Sequence, residues 1–193
     1  MTIRVTTYKG CEKAEVTCAM SVEIEIMTGE ASWPAVKPLF DRVWPHKAAG
    51  EGAADAIEYA GADLRVIVEF DEQPVCHVGI CRREGIWKGR KIRIGGIGGV
   101  GTDPEFRRRG FASVALDAAL QTLKDERATD FALLFCRPHN AEFYTARGWK
   151  PFIGEVFAEQ RGERVRFDEL LPFVFYLKRA PHEGELDLCG LPW

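Results

Sequence analysis

The alternation of apolar and polar positions predicts a series of strands. Ser21–Met27 (SVEIEIM) alternates with a period of two, which is typical of a strand with one buried face. Asp63–Phe70 and Pro74–Glu84 are two further strands, and the turn residues between them predict a hairpin. Four more strands are predicted at Lys91–Thr102, which is rich in glycine, at Asp130–Cys136, at Lys150–Gln160 and at Pro172–Ala180.

Helical spacing of apolar residues predicts the elements between these strands. Arg109–Ala128 is a clear amphipathic helix, and Arg137–Trp149 is a short helix with Pro138 near its start. A helix is predicted at Ser32–Trp44, with Ser32 as its N-cap, and another short helix is predicted at Ala53–Ala62. This order predicts an α/β or α+β layered domain over residues 20–193, with residues 1–19 as an N-terminal extension.

Composition narrows the class of protein. The chain has 193 residues, a net charge of −3 and no basic excess, so a general nucleic-acid binder is not expected. It has no apolar run of membrane-spanning length and no signal-peptide pattern near its start, which predicts a cytoplasmic protein without membrane contact. Six cysteines without a C-x-x-C pair and four scattered histidines favour buried free thiols over a metal site.

The stretch Gly95–Ser113 (GGIGGVGTDPEFRRRGFAS) contains two anion-binding patterns. Gly96, Gly98 and Gly101 spell G-x-G-x-x-G, but these glycines lie within a strand and no helix follows at once. A dinucleotide site also needs an acidic residue about twenty positions later. Gln121 stands there, in the middle of a helix. We therefore interpret the first pattern as accidental.

The second pattern, R-x-x-G-x-A, leads directly into the long helix. Arg107, Gly110 and Ala112 precede or begin this helix, whose first amides have no internal partner and point outward. Gly110 and Ala112 are small enough for close approach of an anion. Three arginines at this end place positive charges beside the positive end of the helix dipole, which is unfavourable unless an anion is bound there. The pattern predicts a phosphate site at the start of the helix.

These residues resemble a known family. VGTDPEFRRRGFAS is similar to the acetyl-CoA signature of the GNAT N-acetyltransferases, and HNAEFYTARGW resembles the second conserved segment of that family. The resemblance implies a mixed, mostly antiparallel sheet flanked by about four helices. It also implies acetyl transfer from acetyl-CoA to a small primary amine, and homodimers occur among such relatives.

The resemblance also implies roles for individual residues. Main-chain groups of Val100 and Thr102 would pair with the pantetheine arm, and the N–H of Val100 would stabilise the oxyanion. The pyrophosphate would be held by Arg107, Arg108, Arg109, Gly110, Phe111 and Ala112. Asn140 would bind further along the coenzyme. Tyr144, four residues later on the same helix face, would protonate the departing thiolate.

The segment after Tyr144 and the tail DLCGLPW look most like the aminoglycoside 2′-N-acetyltransferases. In those enzymes acidic groups and the terminal carboxylate hold cationic amines, which suggests Trp193, Asp187 and Glu185 near the acceptor. Aromatic residues in the first helical region could stack on the acceptor or belong to the core; these are Trp33, Trp44 and Tyr59.

One departure from that subfamily concerns the general base. Gly98 occupies the position at which those enzymes carry a glutamate that activates the amine. Glu58, His77, His139 or bulk water could replace it, although a hydrogen-bonded core histidine is the simpler interpretation of His77. Two alternatives stay open: a non-catalytic coenzyme-A-binding or regulatory module, and an N-acyltransferase with a longer acyl donor.

Overall fold

The computed structural model describes residues 2–6, 21–45, 57–179 and 181–193, with the backbone alone for residues 2–6. The strands are β1 Thr2–Thr6, β2 Ser21–Thr28, β3 Leu64–Phe70, β4 Gln73–Trp87, β5 Arg90–Thr102, β6 Phe131–Cys136, β7 Lys150–Pro151, β8 Ile153–Gln160, β9 Glu163–Arg166, β10 Leu171–Tyr176 and β11 Glu183–Asp187. The α-helices are α1 Gly29–Val43, α2 Phe111–Glu126 and α3 Ala141–Thr145. Short 3₁₀ turns at Pro104–Phe106 and Pro138–Asn140 precede α2 and α3.

The strands form one mixed and mostly antiparallel sheet, as the family resemblance implied. Its main path runs β1-β2-β3-β4-β5-β6-β10-β7, and β11 connects β4 to the β8–β9 hairpin. Within the described ranges, only β5–β6 and β8–β11 pair in parallel. The edge strand β1 pairs with β2 and comes from the segment that we predicted to be an extension.

The described ranges contain three α-helices, one fewer than the resemblance implies. Part of the helix predicted at Ala53–Ala62 lies outside the described residues, and residues 57–62 are not helical. This part of the prediction is wrong because backbone groups there bind distant segments: the N–H of Ala60 donates to Pro192 O. None of the helices described is long and apolar enough to cross a membrane.

Helix α1 begins three residues before the serine that we predicted as its N-cap. The N–H of Gly29 donates to Asp63 O, and a Cβ at position 29 would overlap the carbonyl oxygen of Ala62. Ser32 therefore lies inside the first turn, where its hydroxyl donates to Thr28 O at 2.7 Å. The close contact with the segment before β3 determines where the helix starts.

The two faces of the sheet carry different layers. A Cβ at Gly95 would lie 2.6 Å from Leu123 of α2, whereas a Cβ at Gly96 would lie 2.2 Å from the indole of Trp193. Helix α2 packs its apolar side on the first face, with Ala115, Leu116, Ala119, Leu120 and Leu123 buried. The opposite face carries α1 and the C-terminal residues, and β5 lies between the two layers.

Four of the six cysteines are described, and all four are free thiols. Cys76, Cys81 and Cys136 are buried, as predicted, but Cys189 is exposed, so burial was the wrong expectation for this residue. Cys11 and Cys18 lie outside the described residues.

Candidate active site

A gap opens in the middle of the sheet where β5 and β6 stop pairing. The parallel register runs from Ile94–Phe131 to Ile97–Leu134. Strand β5 continues to Thr102 and β6 to Cys136, without further pairing between them. The β6-facing edge of Gly98–Thr102 therefore has no strand partner in the described ranges, and its main-chain groups can pair with an extended ligand.

A β-bulge lies on β5 beside this gap. His77 of β4 pairs with Gly101 and Gly79 pairs with Gly98, so two residues of β5, Gly99 and Val100, stand opposite the single residue between them. Gly99 has a φ of +56°, which favours glycine. A bulge leaves one residue outside the regular ladder and redirects its main-chain groups.

The bulge is held by a buried histidine. His77 is 1% exposed, and its Nδ1 lies 2.7 Å from Gly99 O. Its Nε2 lies 3.0 Å from Nη1 of Arg65, which can only donate. His77 is therefore neutral with the proton on Nδ1, and burial lowers its pKa to about 4. Since both ring nitrogens are occupied, His77 fits a structural role better than that of the missing base.

The loop after β5 is ordered by Asp103. Its buried carboxylate accepts from the backbone N–H of Glu105 at 3.0 Å and from Arg42 Nε of α1 at 2.6 Å. Arg108 and Gly110 then adopt positive φ values of 61° and 89°, and α2 begins at the next residue. This path leaves the first amides of α2 open for an anion.

Three consecutive arginines surround this helix terminus. Arg107 Nε donates to Thr102 O at 3.2 Å, and Arg109 Nη2 donates to Glu105 O at 3.3 Å. The Arg109 guanidinium also lies 5.0 Å from the centre of the Phe106 ring. No carboxylate of the described residues forms an ion pair with Arg107, Arg108 or Arg109. Their charges are therefore not neutralised by these carboxylates, and binding of a pyrophosphate stays a prediction.

The remaining coenzyme candidates lie on α2, at the end of β5 and at the start of α3. Phe111 packs with Phe106 and Phe70, and Ala112 is half-buried behind it. The Thr102 hydroxyl donates to Cys76 Sγ at 3.3 Å. Asn140 is exposed where α3 begins.

Tyr144 lies on the same face of the sheet as α2. It is 6% exposed and belongs to the same buried cluster as Cys76 and Cys136. Burial raises the pKa of its hydroxyl, and the neighbouring thiols of Cys136 and Cys76 act in the same direction. The phenol therefore carries its proton at neutral pH, as a proton donor must.

An aromatic cluster covers the opposite face beside the bulge. The Phe40 ring lies 5.1 Å from Trp33, 4.9 Å from Trp44 and 4.8 Å from His77. Trp33 and Trp44 are 40% and 43% exposed. A Cβ at Gly101 would lie 2.6 Å from the Trp44 ring, so this indole sits directly on β5. The cluster offers flat apolar surface next to the gap.

The C-terminal residues explain the glycine at position 98. A Cβ there would lie 2.7 Å from the main-chain carbonyl carbon of Trp193. The Trp193 indole covers Gly96, and its Nε1 donates to Leu133 O at 3.2 Å. A glutamate at position 98 would therefore collide with this tail. Trp193, which we expected near the acceptor, lies beside β5.

Other acceptor candidates make contacts away from the gap. Glu58 Oε2 accepts from the backbone N–H of Arg161 in the β8–β9 turn. Asp187 and Glu185 both bind Arg164 of β9, at 2.6 and 2.8 Å. Tyr59 is about half-exposed, and burial raises its pKa, with Glu169 adding to the effect. The structure brings together Trp33, Trp193 and the bulge, but it does not bring the acids to them.

Sequence reasoning missed Arg65, Phe40 and Asp103. The signal for Arg65 was a charge directly before the apolar residues of β3, which also carries Glu69 near its end. The signal for Asp103 was an aspartate before proline, which favours a turn. Their partners are far away in sequence, so the pattern did not show what they bind. A homodimer and a cytoplasmic location stay predictions.

The chain is similar to known proteins in family and fold. The model of a family described as the acetyltransferase (GNAT) domain matches residues 24–152. No curated protein matches the chain. Among solved structures, the Escherichia coli GNAT family N-acetyltransferase YhbS, determined in complex with CoA, is similar with a TM-score of 0.60 and 15% identity over 91% of this chain and 94% of that chain.

Two further structures share the fold. Escherichia coli ElaA has a TM-score of 0.55 and 13% identity, and the match covers 79% of this chain and 98% of that chain. A GCN5-related N-acetyltransferase from Kribbella flavida has a TM-score of 0.51 and 20% identity over 68% of this chain. The match covers only 34% of that longer protein. The chain belongs to the GNAT acetyltransferase domain family, the acyltransferases that use acetyl-CoA as acyl donor.

Proposed function

We propose that this chain transfers the acetyl group of acetyl-CoA directly to the primary amine of a small molecule. The observation that carries the proposal is the gap between β5 and β6, which opens immediately before the arginine-rich start of α2. An extended thioester arm can enter the gap while its pyrophosphate stays at the helix terminus. The bulge at Gly99 and Val100 then lies beside the reacting carbonyl.

The chemistry needs charge stabilisation and one proton donor. The main-chain N–H of Val100, outside the regular ladder, is the candidate oxyanion donor. Tyr144 is the candidate acid, because its buried hydroxyl keeps its proton until a thiolate develops nearby. Arg107 to Ala112 and Asn140 are the candidate coenzyme contacts.

The incoming amine must be neutral before it attacks. Two of the three candidate bases are already engaged: His77 is hydrogen-bonded at both nitrogens, and Glu58 accepts from the β8–β9 turn. His139 is exposed on the 3₁₀ turn before α3. We therefore infer that the amine loses its proton to water. The rate should then rise with pH until the pH reaches the pKa of the free amine.

The sequence is compatible with more than one acceptor and more than one acyl donor. An aminoglycoside is one candidate, supported by the resemblance of the tail, and a longer acyl donor is an alternative to acetyl-CoA. The contacts of Asp187 and Glu185 with Arg164 do not favour an acidic cage for a polycation. A non-catalytic coenzyme-binding module is the second candidate function, favoured only by the glycine at position 98.

Tyr144→Phe tests the catalytic role. We expect kcat to fall at least about 100-fold, because general acid catalysis of this kind contributes that much. The dissociation constant for CoA, measured by calorimetry, should stay within about twofold because the phenyl ring is retained. Tyr176→Phe is the matched control, since Tyr176 lies exposed on β10. Normal turnover by Tyr144→Phe would exclude this tyrosine as the acid.

Arg109→Glu tests the coenzyme site independently. The substitution places a negative charge at the start of α2, so it should weaken CoA binding about tenfold or more. Arg93→Glu on β5 is a control at an exposed position away from this terminus. Unchanged affinity in Arg109→Glu would overturn the placement of the pyrophosphate.

A further inference from the structure

Arg65 is a buried charge that the proposed chemistry does not use. The residue is 9% exposed and lies in β3 under α1, on the face that carries the aromatic cluster. Its guanidinium lies 4.9 Å from the centre of the Trp33 ring and 5.8 Å from that of Phe40. Burial lowers its pKa, so keeping this charge away from water costs free energy.

No carboxylate compensates this charge within the described ranges. Arg65 Nε donates to Gly29 O at 3.1 Å and Nη1 donates to His77 Nε2 at 3.0 Å, and both acceptors are neutral. The residue opposite Arg65 on β2 is Met27, not an acid. Buried arginines are usually paired, which makes this neutral environment unusual for the side chain.

One nitrogen of the guanidinium is left for a ligand. Nη2 makes no hydrogen bond with the described residues. Among these residues, Trp149 Nε1 is the only side-chain nitrogen that is both fully enclosed and without a partner. Arg65 Nη2 also has no partner, so it is not fully enclosed and solvent reaches it. A guanidinium in this position can bind an oxyanion through a charge-assisted hydrogen bond.

Arg65 lies close to the reaction centre. It pairs with Gly79 of β4, which pairs with Gly98 of β5, so the three residues share one rung of the sheet. Two strand spacings amount to about 10 Å between the backbones. The guanidinium itself is closer to β5 than the backbone of Arg65 is, because only the imidazole of His77 lies between the guanidinium and Gly99 O. A small molecule can therefore present its amine at the bulge and a second group at Arg65.

We propose that Arg65 binds a carboxylate of the acceptor, so that the substrate is a small amino carboxylate rather than a polycation. This inference rests on the proposed function of the gap. Trp33 and Phe40 stack on the guanidinium and provide apolar surface for the body of the acceptor. A polycationic amine would meet an uncompensated positive charge at the same place, which disfavours it.

Matched acceptors test the proposal on the wild-type protein. Each amino carboxylate is compared with its own carboxamide: β-alanine with β-alaninamide, and para-(aminomethyl)benzoate with its amide. Rates are compared per fraction of neutral amine, to remove differences in amine pKa. We expect kcat/KM for at least one carboxylate to exceed that of its amide about 10- to 100-fold, the value of one charge-assisted hydrogen bond. Equal rates in both pairs, or faster transfer to an aminoglycoside, would overturn the proposal.

Variants then assign the preference to Arg65. Arg65→Gln should abolish the preference, because any effect through the contact with His77 changes acid and amide alike, whereas only the acid also loses an ionic contact and shows the additional rise in KM. Arg65→Lys should retain part of the preference, because the charge remains. Arg82→Gln is the matched control, since Arg82 lies on the opposite face of β4 and binds Glu126. A purely structural role of Arg65 would change acid and amide equally, and that result would overturn the proposal.

A binding measurement separates failure of this proposal from failure of the proposed function. If the protein binds acetyl-CoA but acetylates no amine in the set, the proposed function fails. The Arg65 site is then judged by calorimetry with N-acetyl-β-alanine and its amide in the presence of CoA. Tighter binding of the acid, lost in Arg65→Gln, supports the site. Equal or absent binding overturns it.

Discussion

Acidification should destabilise the protein through His77. The ring is buried, donates from Nδ1 to Gly99 O and accepts at Nε2 from Arg65, so it has no place for a second proton. Burial is the main cause that lowers its pKa, from 6.5 to about 4. In the unfolded chain the same ring regains its ordinary pKa.

The magnitude follows from the difference between the two states. Between the two pKa values the unfolded chain binds a proton that the folded chain does not, so the free energy of unfolding falls as the pH falls. His77 has its full stabilising effect above about pH 6.5, and the loss levels off below about pH 4. Across this window the loss is about 3 kcal/mol.

Urea denaturation at a series of pH values measures this effect. The wild type is compared with His77→Asn, whose side-chain amide can still donate to Gly99 O but does not titrate. We expect the variant to lose distinctly less stability than the wild type over the window. His139→Asn is the control, because His139 is exposed. Parallel pH curves for the wild type and His77→Asn would refute the assignment of a neutral, buried His77.

Three substitutions test other parts of the account. Gly96→Ala places a Cβ 2.2 Å from the Trp193 ring, so urea denaturation should show a loss of about 1–3 kcal/mol, and an unchanged midpoint would contradict that packing. Gly110→Val forces a β-branched residue to a φ of +89°, and calorimetry should find CoA binding about tenfold weaker; full affinity would show that this turn is not needed. Asp103→Ala removes the acceptor of two hydrogen bonds, including that from Arg42, and should lower the free energy of unfolding by about 1–3 kcal/mol; wild-type stability would refute its role in ordering the loop.

Elements with a local signal were predictable from the sequence. The apolar side of α2 repeats with helical spacing and packs on the sheet as expected, and the β3–β4 hairpin follows from its turn residues. The helix predicted at Ala53–Ala62 is wrong over its described part, because hydrogen bonds from Glu58 N–H to Gln160 Oε1 and from Ala60 N–H to Pro192 O outweigh its local propensity. Tertiary contacts of this kind leave no periodicity in the sequence.

The residues of the candidate site likewise divide into those with a local sequence signal and those that are brought together only by folding. Arg107 to Ala112 form a contiguous pattern that identifies a helix terminus, so the start of α2 could be predicted, and the anion site there stays a prediction. The network of Arg65, His77 and Gly99 joins three consecutive strands through side-chain contacts between residues 12 and 22 positions apart, and no local pattern marks these contacts. The contact of Trp193 with Gly98 likewise depends on how the chain returns to β5. Only the folded chain shows why position 98 is a glycine.

The most direct test of the central claim is transfer itself. The protein is incubated with acetyl-CoA and a pool of amino carboxylates, their amides, amino sugars, polyamines and aminoglycosides, and the products are identified by mass spectrometry. We expect one class of primary amine to gain an acetyl group and Tyr144→Phe to suppress this product. Binding of acetyl-CoA without acetylation of any amine in the pool would show that the protein is not an acetyltransferase for small amines.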